Sequence, residues 1–225
     1  MKIENIKYKK LFVIIGTGGT GSLLARDLPK LLLNTSSKMV IVDGDQVEQK
    51  NMKRQAFQPQ DIGENKAIAL AKKINTFHGE LCEAIDKYVT RNELIEFIDQ
   101  RKEYYPILIG CVDNDATRIL LEQTFRHLKN AVYIDSANSE YDGNVYAALN
   151  VNQVIYGALR SETYTLEYKD HPTEKSCQEL AASNVQYLIT NLKMATALLE
   201  HCSCIMANEL KEGVTVVKQF EEIHF

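Results

Sequence analysis

The sequence predicts an α/β fold: a doubly wound, Rossmann-like, mostly parallel sheet with helices on both faces. A C-terminal antiparallel strand extension and a long helix complete it. Three observations carry this. Short apolar runs alternate with helical patterns from Leu11 to about Ile134, as repeated β-α units require. A glycine-rich turn, Gly16-Thr-Gly-Gly-Thr-Gly-Ser22, lies between the first apolar run and the first helix. Past Ser136 the apolar runs shorten and follow one another directly, until an amphipathic stretch from about Asn184 to His201. The chain has 225 residues, a length that one α/β domain accommodates. No repeat, low-complexity tract or linker divides it, so residues 1–225 are expected to form one domain.

Leu11–Ile15 is the first strand, apolar throughout and therefore buried on both faces. The helical pattern Leu23–Leu33 contains Pro29, which lacks an N–H and should kink or divide the helix. Asn34–Ser37 is a turn, and Met39–Val42 is the second strand, ending at Asp43. The polar stretch Gly44–Gln60 is too long for an ordinary connection, and long structured loops are often functional. Asp61 is the expected cap of a helix over Asn65–Asn75. Leu81–Val89 reads as a strand of mixed pattern, and Thr90-Arg-Asn-Glu93 as a capping box for a helix to Lys102. Ile107–Ile109 and Val132–Ile134 are buried strands flanking a helix over Ala116–Leu128. Val145–Val151, Val154–Leu159 and Tyr164–Tyr168 read as short antiparallel strands, and Val214–Val217 as a closing one.

Composition narrows the function. Acidic residues outnumber basic ones by 30 to 26, a net charge of -4, which argues against a nucleic-acid partner. No apolar run approaches membrane-spanning length, and Met1–Lys10 is polar and lysine-rich, unlike a signal peptide. A cytoplasmic protein without membrane contact is expected. The five cysteines, Cys82, Cys111, Cys177, Cys202 and Cys204, are odd in number and form no Cys-x-x-Cys pair. They read as reduced thiols, mostly core. The five histidines are scattered and show no metal-ligand spacing.

Strand, glycine turn and helix bring backbone N–H groups and a helix N-terminus against a phosphate. Asp43, at the end of the second strand, stands where a carboxylate accepts hydrogen bonds from ribose hydroxyls. ATP and NAD both satisfy these features, so a nicotinamide-dependent oxidoreductase and an ATP-using enzyme tie at this point. The residues that follow separate them. Asn51, Arg54 and Lys66 bring an amide, a guanidinium and an ammonium into a short span, a set able to clamp a triphosphate. Asp113, at another strand end, is a carboxylate of the kind that holds Mg²⁺ together with phosphate oxygens. Since Gly16, Asp43 and Asp113 all follow strand ends, they should converge.

Taken together, these motifs resemble the ThiF/MoeB/ubiquitin-activating superfamily of adenylating enzymes. Its ordered pattern is matched by Gly16/Gly18/Gly19/Gly21, Asp43/Asp45, Asn51/Arg54/Gln55, Gly63/Lys66 and Asp113/Asn114/Arg118. The resemblance runs from about Leu11 to Ala137, with a weaker echo around Cys177. It implies ATP and Mg²⁺ as cofactors. It implies as partner a small ubiquitin-like or sulfur-carrier protein, or a peptide, whose free C-terminal carboxylate is adenylated with release of pyrophosphate. The nucleotide-binding residues it implies are Gly16, Gly18, Gly19, Thr20, Gly21, Asp43, Asp45, Asn51, Arg54, Lys66, Val112, Asp113 and Asn114. Catalytic roles fall to Arg54, Lys66 and Asp113, with Asp113 on Mg²⁺. Cys177, followed by Gln and Glu179, is in part like the loop cysteine that accepts the acyl group in some relatives. A loop cysteine without covalent role is the alternative. Relatives are commonly dimers, so a homodimer is compatible with the sequence.

A non-catalytic binding subunit of the same fold remains the third reading, although such subunits tend to lose ATP-site residues and this chain retains them. The tyrosines at 141, 146, 156, 164 and 168 could line a groove for a partner's tail, or simply suit half-exposed strands. Many relatives carry two Cys-x-x-Cys pairs that bind zinc, which this chain lacks, so no structural zinc is expected. Elemental analysis of the purified protein should find less than stoichiometric zinc; one zinc per chain would overturn that expectation.

Overall fold

In the computed structural model, which describes residues 1–3, 9–168, 185–218 and 221–224, the β-α alternation runs through residue 138. The elements are β1 (Lys10–Ile15), α1 (Gly19–Asp27), α2 (Pro29–Leu32), β2 (Lys38–Val42), α3 (Lys66–His78), β3 (Cys82–Ile85), α4 (Arg91–Asp99), β4 (Tyr105–Gly110), α5 (Asp115–His127) and β5 (Asn130–Asn138). There follow β6 (Asp142–Val151), β7 (Val154–Gly157), α6 (Val185–Met206), β8 (Gly213–Lys218) and β9 (Glu222–His224). The strands form one sheet in the order β3-β2-β1-β4-β5-β6-β8-β9, with β7 also on β6. The pairs from β3 to β5 are parallel; those involving β6, β7, β8 and β9 are antiparallel. The order reverses at β1, which lies between β2 and β4. In open α/β sheets ligands collect beyond the strand ends at such a reversal.

Successive residues of β1 point to opposite faces and feed two separate cores. Phe12 and Ile14 join Met39, Ile41, Ile107 and Ile109 under α1, α3 and α6. Leu11, Val13 and Ile15 join Val40, Val42 and Leu108 under α4 and α5, where Leu94, Leu121 and Phe125 are fully buried. Helices thus cover both faces of the sheet, as the continuous apolar strands require. Pro29 does divide the first helix: it occupies the first position of α2, where its missing N–H costs nothing.

Three sequence expectations are corrected. Asp61 does not cap α3; Asn65 does, its side chain accepting from the N–H groups of Ala67 and Ile68. Asp61 instead sits in a 3₁₀ turn over Pro59–Asp61, where it accepts from Gln58 N–H (2.6 Å) and pairs with Lys73. Tyr164–Tyr168 form no strand. Tyr164 turns its ring edge toward Tyr146, centroids 6.3 Å apart. The hairpin partner of β8 is β9, which the sequence pattern did not reveal. The Thr90–Glu93 capping box is present, with Thr90 N–H donating to Glu93 (2.8 Å) and Glu93 N–H to Thr90 (3.3 Å).

A buried charge network joins the antiparallel extension to the parallel sheet. Asp135 on β5 has no exposed surface. It pairs with Arg160 and, at 3.6 Å, with Arg118, a distance that makes an ion pair but no hydrogen bond. Arg160 lies in the turn after β7, with its guanidinium 4.6 Å from the centre of the Tyr146 ring. Removing one partner of a buried pair leaves the other charge uncompensated. Asp135→Ala is therefore expected to lower unfolding free energy by about 3–5 kcal/mol in urea titration. A loss under about 1 kcal/mol would show that the network contributes no more than surface pairs do.

Candidate functional site

Gly16 leaves β1 with φ of 87°, a backbone conformation that favours glycine. Its N–H donates to Val42 O (3.0 Å), which continues the β1–β2 pairing past the strand end. A Cβ there would stand 2.7 Å from Cys111 O and 2.9 Å from Val112, so only a bare backbone fits between the ends of β1 and β4. A Cβ on Gly21 would collide with Gly16 O, and this sets how closely α1 sits over its own turn. Gly18 is the N-cap of α1, with no side-chain capping bond and no acidic residue in the first turn. The first-turn N–H groups of any α-helix lack intrahelical acceptors. Here no protein carboxylate or hydroxyl caps them from the N-cap position, and the helix dipole adds positive potential.

Asp43 lies against this turn. Its Oδ2 accepts from Thr17 N–H and Thr17 Oγ1–H, both at 2.6 Å, and its Oδ1 accepts from Asp45 N–H at 2.9 Å. These bonds use three of the roughly four acceptor positions of a carboxylate, and one on Oδ1 remains. Asn65 fastens the same corner from below, donating from Nδ2 to Asp43 O (2.8 Å) and Asp45 O (3.1 Å) while its oxygen caps α3. Lys66 follows at once, 3% exposed, with Nζ 2.8 Å from Asp45 Oδ2. Tyr88 Oη–H donates to the other Asp45 oxygen, and its ring lies on Gly44, where a Cβ would stand 2.7 Å away. Burial opposes ionisation of Asp45, but the hydrogen bonds from Lys66 and Tyr88 and the Lys66 and Lys50 charges outweigh it and hold the carboxyl below its ordinary value. Burial, the Asp45 contact and the negative charges of Asp43 and Asp113 raise Tyr88 well above the usual tyrosine range. Its hydroxyl is a donor at every physiological pH.

The long polar stretch after Asp43 is ordered. Val47 and Gly63 exchange bonds with their neighbours, Val47 N–H to Glu64 O (2.8 Å) and Gly63 N–H to Val47 O (2.9 Å). A 3₁₀ turn spans Gln49–Lys53 and carries Asn51, which is 1% exposed. Asn51 Oδ1 accepts from Glu48 N–H (2.7 Å), while its Nδ2 is buried without a partner among the described residues, as is Gln55 Oε1. Arg54 ends this turn, half-buried, and the Ala56 N–H two residues on donates to Ser22 Oγ of α1 (3.0 Å). That bond brings the Asn51–Gln55 motif against the glycine helix.

On the β4 side, Val112 touches Gly16, and Arg118 donates to Val112 O at 2.6 Å and to Asp115 at 3.1 Å. Asp113 is exposed beside them. Asn114 caps α5 by accepting from Thr117 N–H (2.9 Å), and Asp115 stands in the first helical turn. No group of three or more His, Cys, Asp or Glu among the described residues could hold a metal ion. The Cys111 thiol is enclosed although the residue as a whole is part-exposed, and burial pushes its pKa up to about 12. Cys82 reaches about 12 for the same reason. Cys177 lies outside the described residues. Of the tyrosines, Tyr146 is buried under Arg160, while Tyr141, Tyr156, Tyr164 and Tyr168 are exposed. No helix of the described residues is long and apolar enough to cross a membrane.

Asp43, Asp45, Lys66 and the glycine turn are thus in direct contact, Val112 abuts them, and the segment that carries Asn51 is tied in by the Ala56 N–H on Ser22. Sequence reasoning missed Tyr88, Asn65 and Asn191, the last of which fills the space beside Gly19. Asn65 sits inside the Gly63–Lys66 motif and was open to detection there; Tyr88 and Asn191 come from distant segments.

The sequence model of the ThiF family matches residues 3–222. The chain belongs to the ThiF family. Among curated proteins it is similar to ubiquitin-like modifier-activating enzyme 5 of Xenopus laevis, 28% identical over 149 residues, 61% of this chain and 36% of that protein. The enzymes of the same name from Dictyostelium discoideum (27% over 146 residues) and Mus musculus (28% over 146 residues) match 61% and 59% of this chain, and 37% and 35% of their own length. The matches span little more than a third of these relatives. In fold this ThiF-family chain is similar to the crystal structure of selenomethionyl PaaA, with a TM-score of 0.66 over 96% of this chain and 64% of that one, at 16% identity.

Gly16 and Gly63 share a φ of 87°, but a Cβ on Gly63 would meet open space. Gly63→Ala should cost about 1–2 kcal/mol in thermal or urea unfolding. Gly16→Ala should cost more, because its Cβ also meets the Cys111 carbonyl. Equal losses would remove the close approach as the reason for glycine at position 16.

Proposed function

We propose that this ThiF-family chain is an ATP- and Mg²⁺-dependent adenylyltransferase. It activates the C-terminal carboxylate of a small ubiquitin-like or sulfur-carrier protein, or a peptide, and releases pyrophosphate. One observation carries the reading: an uncapped glycine helix at the sheet's reversal point has a buried lysine and an orphaned buried amide in the segments tied to it. Asn51 Nδ2 has no acceptor among the described residues, and burying a donor unpaired costs about 1–3 kcal/mol. An anionic ligand at the turn would supply the acceptor.

In this reading the N–H groups of Gly18–Gly21 hold phosphate oxygens, and the free position on Asp43 Oδ1 accepts from a ribose hydroxyl. Asn51, Arg54 and Lys66 contact the triphosphate. Lys66 starts on Asp45, and a polyanion carrying more charge than one carboxylate competes for it. Asp113, which belongs to no group of three or more metal-ligating side chains among the described residues, suits Mg²⁺, which takes most of its ligands from phosphate and water. Bound there, the ion would neutralise phosphate charge. Val112 and Asn114 would border the nucleotide on the same side. The attacking carboxylate arrives ionised, so no general base is required, and the protein's part is alignment and charge neutralisation. The homologous enzymes' name supports a ubiquitin-like partner, and a homodimer and a cytoplasmic location remain part of the proposal.

With Mg²⁺ and a cognate carboxylate protein, the chain should exchange labelled pyrophosphate into ATP. Arg54→Ala and Lys66→Ala should each lower that exchange by about 100-fold or more. Cys177→Ala should leave it intact, since a thiol acceptor acts after adenylation. Tight ATP binding without exchange, given a verified partner, would overturn the enzymatic reading.

A further inference from the structure

The glycine turn has a neighbour that the ordered motifs do not contain. Asn191 on α6 is 3% exposed, and it sits so close to Gly19 that a Cβ there would collide with its carboxamide. Its Oδ1 accepts from Asn138 Nδ2 (3.2 Å) and faces Thr20 Oγ1 at 3.5 Å. Its Nδ2 is buried and has no hydrogen-bond partner among the described residues.

The orientation of the Asn191 carboxamide is set by what surrounds it. Asn138 also donates from Nδ2 to the backbone carbonyl of Ser139 (3.2 Å), and its Oδ1 accepts from Thr20 Oγ1 (3.2 Å). A backbone carbonyl can only accept, so Asn138 must present nitrogen on that side, and Asn191 must answer with oxygen. A flipped Asn191 would set two NH₂ groups against each other. The donor end therefore points to the first residue of α1, whose N–H groups are themselves uncapped. Two kinds of unspent donor meet at one place, one from the backbone and one from a side chain 97% removed from solvent.

We propose that Asn191 is a nucleotide-contacting residue whose Nδ2 donates to a phosphate oxygen of the triphosphate seated on the Gly16–Gly21 turn. The role rests on the reading that this turn holds ATP. Gly19 is then bare to admit Asn191, whereas Gly16 and Gly21 are bare for the backbone, and α6 becomes a wall of the phosphate site. Thr20 and Asn138 are positioning residues that fix the amide.

The test compares ATP with adenosine, which lacks phosphates, by calorimetry on wild type, Asn191→Ala and Asn191→Asp, with melting temperature as a check on folding. Asn191→Ala should weaken ATP binding about tenfold, the size of one hydrogen bond to a charged group. Adenosine binding should not change. Asn191→Asp keeps the acceptor for Asn138 but replaces the donor by a negative charge, so it should weaken ATP further and again spare adenosine. Wild-type ATP affinity in Asn191→Ala would overturn the proposal, as would equal weakening of ATP and adenosine, the mark of a purely structural residue. If wild type binds ATP but exchanges no pyrophosphate with a verified partner, the adenylation reading fails while the phosphate contact stands. If wild type binds no ATP, both fail.

Discussion

The site depends on one close approach: the backbone of Gly16 against the carbonyl of Cys111. β1 and β4 are adjacent parallel strands, and the chain leaving β1 must turn across the end of β4 to enter α1. Any side chain at position 16 would force the strand ends apart and tilt the helix away. With none, the helix N-terminus is held over the sheet's reversal point. Thr17 comes within 2.6 Å of Asp43, and that contact fixes where the loop from β2 can begin. The positions of Asp45, Asn65 and Lys66 follow from this corner.

The second constraint is electrostatic. The turn concentrates donors and positive potential, and the protein balances part of this with its own carboxylates, Asp43 and Asp45. These are not spare charges. Asp43 is consumed largely by Thr17 and Asp45 N–H, and Asp45 holds Lys66 and Tyr88 in place. Two buried side-chain donors there, the amides of Asn51 and Asn191, are left without an acceptor among the described residues. A site arranged in this way favours a ligand that brings both negative charge and several acceptors.

The sequence made the parallel half of the fold legible because each strand there is apolar on both faces and bounded by turn residues. It made Gly16, Asp43, Lys66 and Asp113 legible because each belongs to a short motif whose spacing is local. It failed where the deciding partner is remote. Asp61 and Asn65 are both cap-competent residues; Asn65 takes the cap because its amide is also held by the carbonyls of Asp43 and Asp45, and Lys73 draws Asp61 away. Tyr164–Tyr168 has the composition of a strand, but Tyr164 packs near Arg160, whose position is set by a buried aspartate 25 residues earlier. Asn191 meets Thr20 across 171 residues, and no window on a single sequence spans that.

One edge of β6 is shared. Residues up to Ala147 pair with β8, and from Ala148 onward with β7. Gly157 and Gly213, both at positive φ, lie at the changeover. Two strands laid end to end on one template cannot slide independently, since each blocks the other's path. β8 returns to β6 only after all of α6, with Ala147 pairing to Gly213. β1 meets β4 across a still longer stretch, Lys10 pairing to Tyr105, so loop length alone sets no order between the two closures. What the seam does is fix the chain just beyond the C-terminal end of α6, and with it the wall that this helix provides beside the glycine turn.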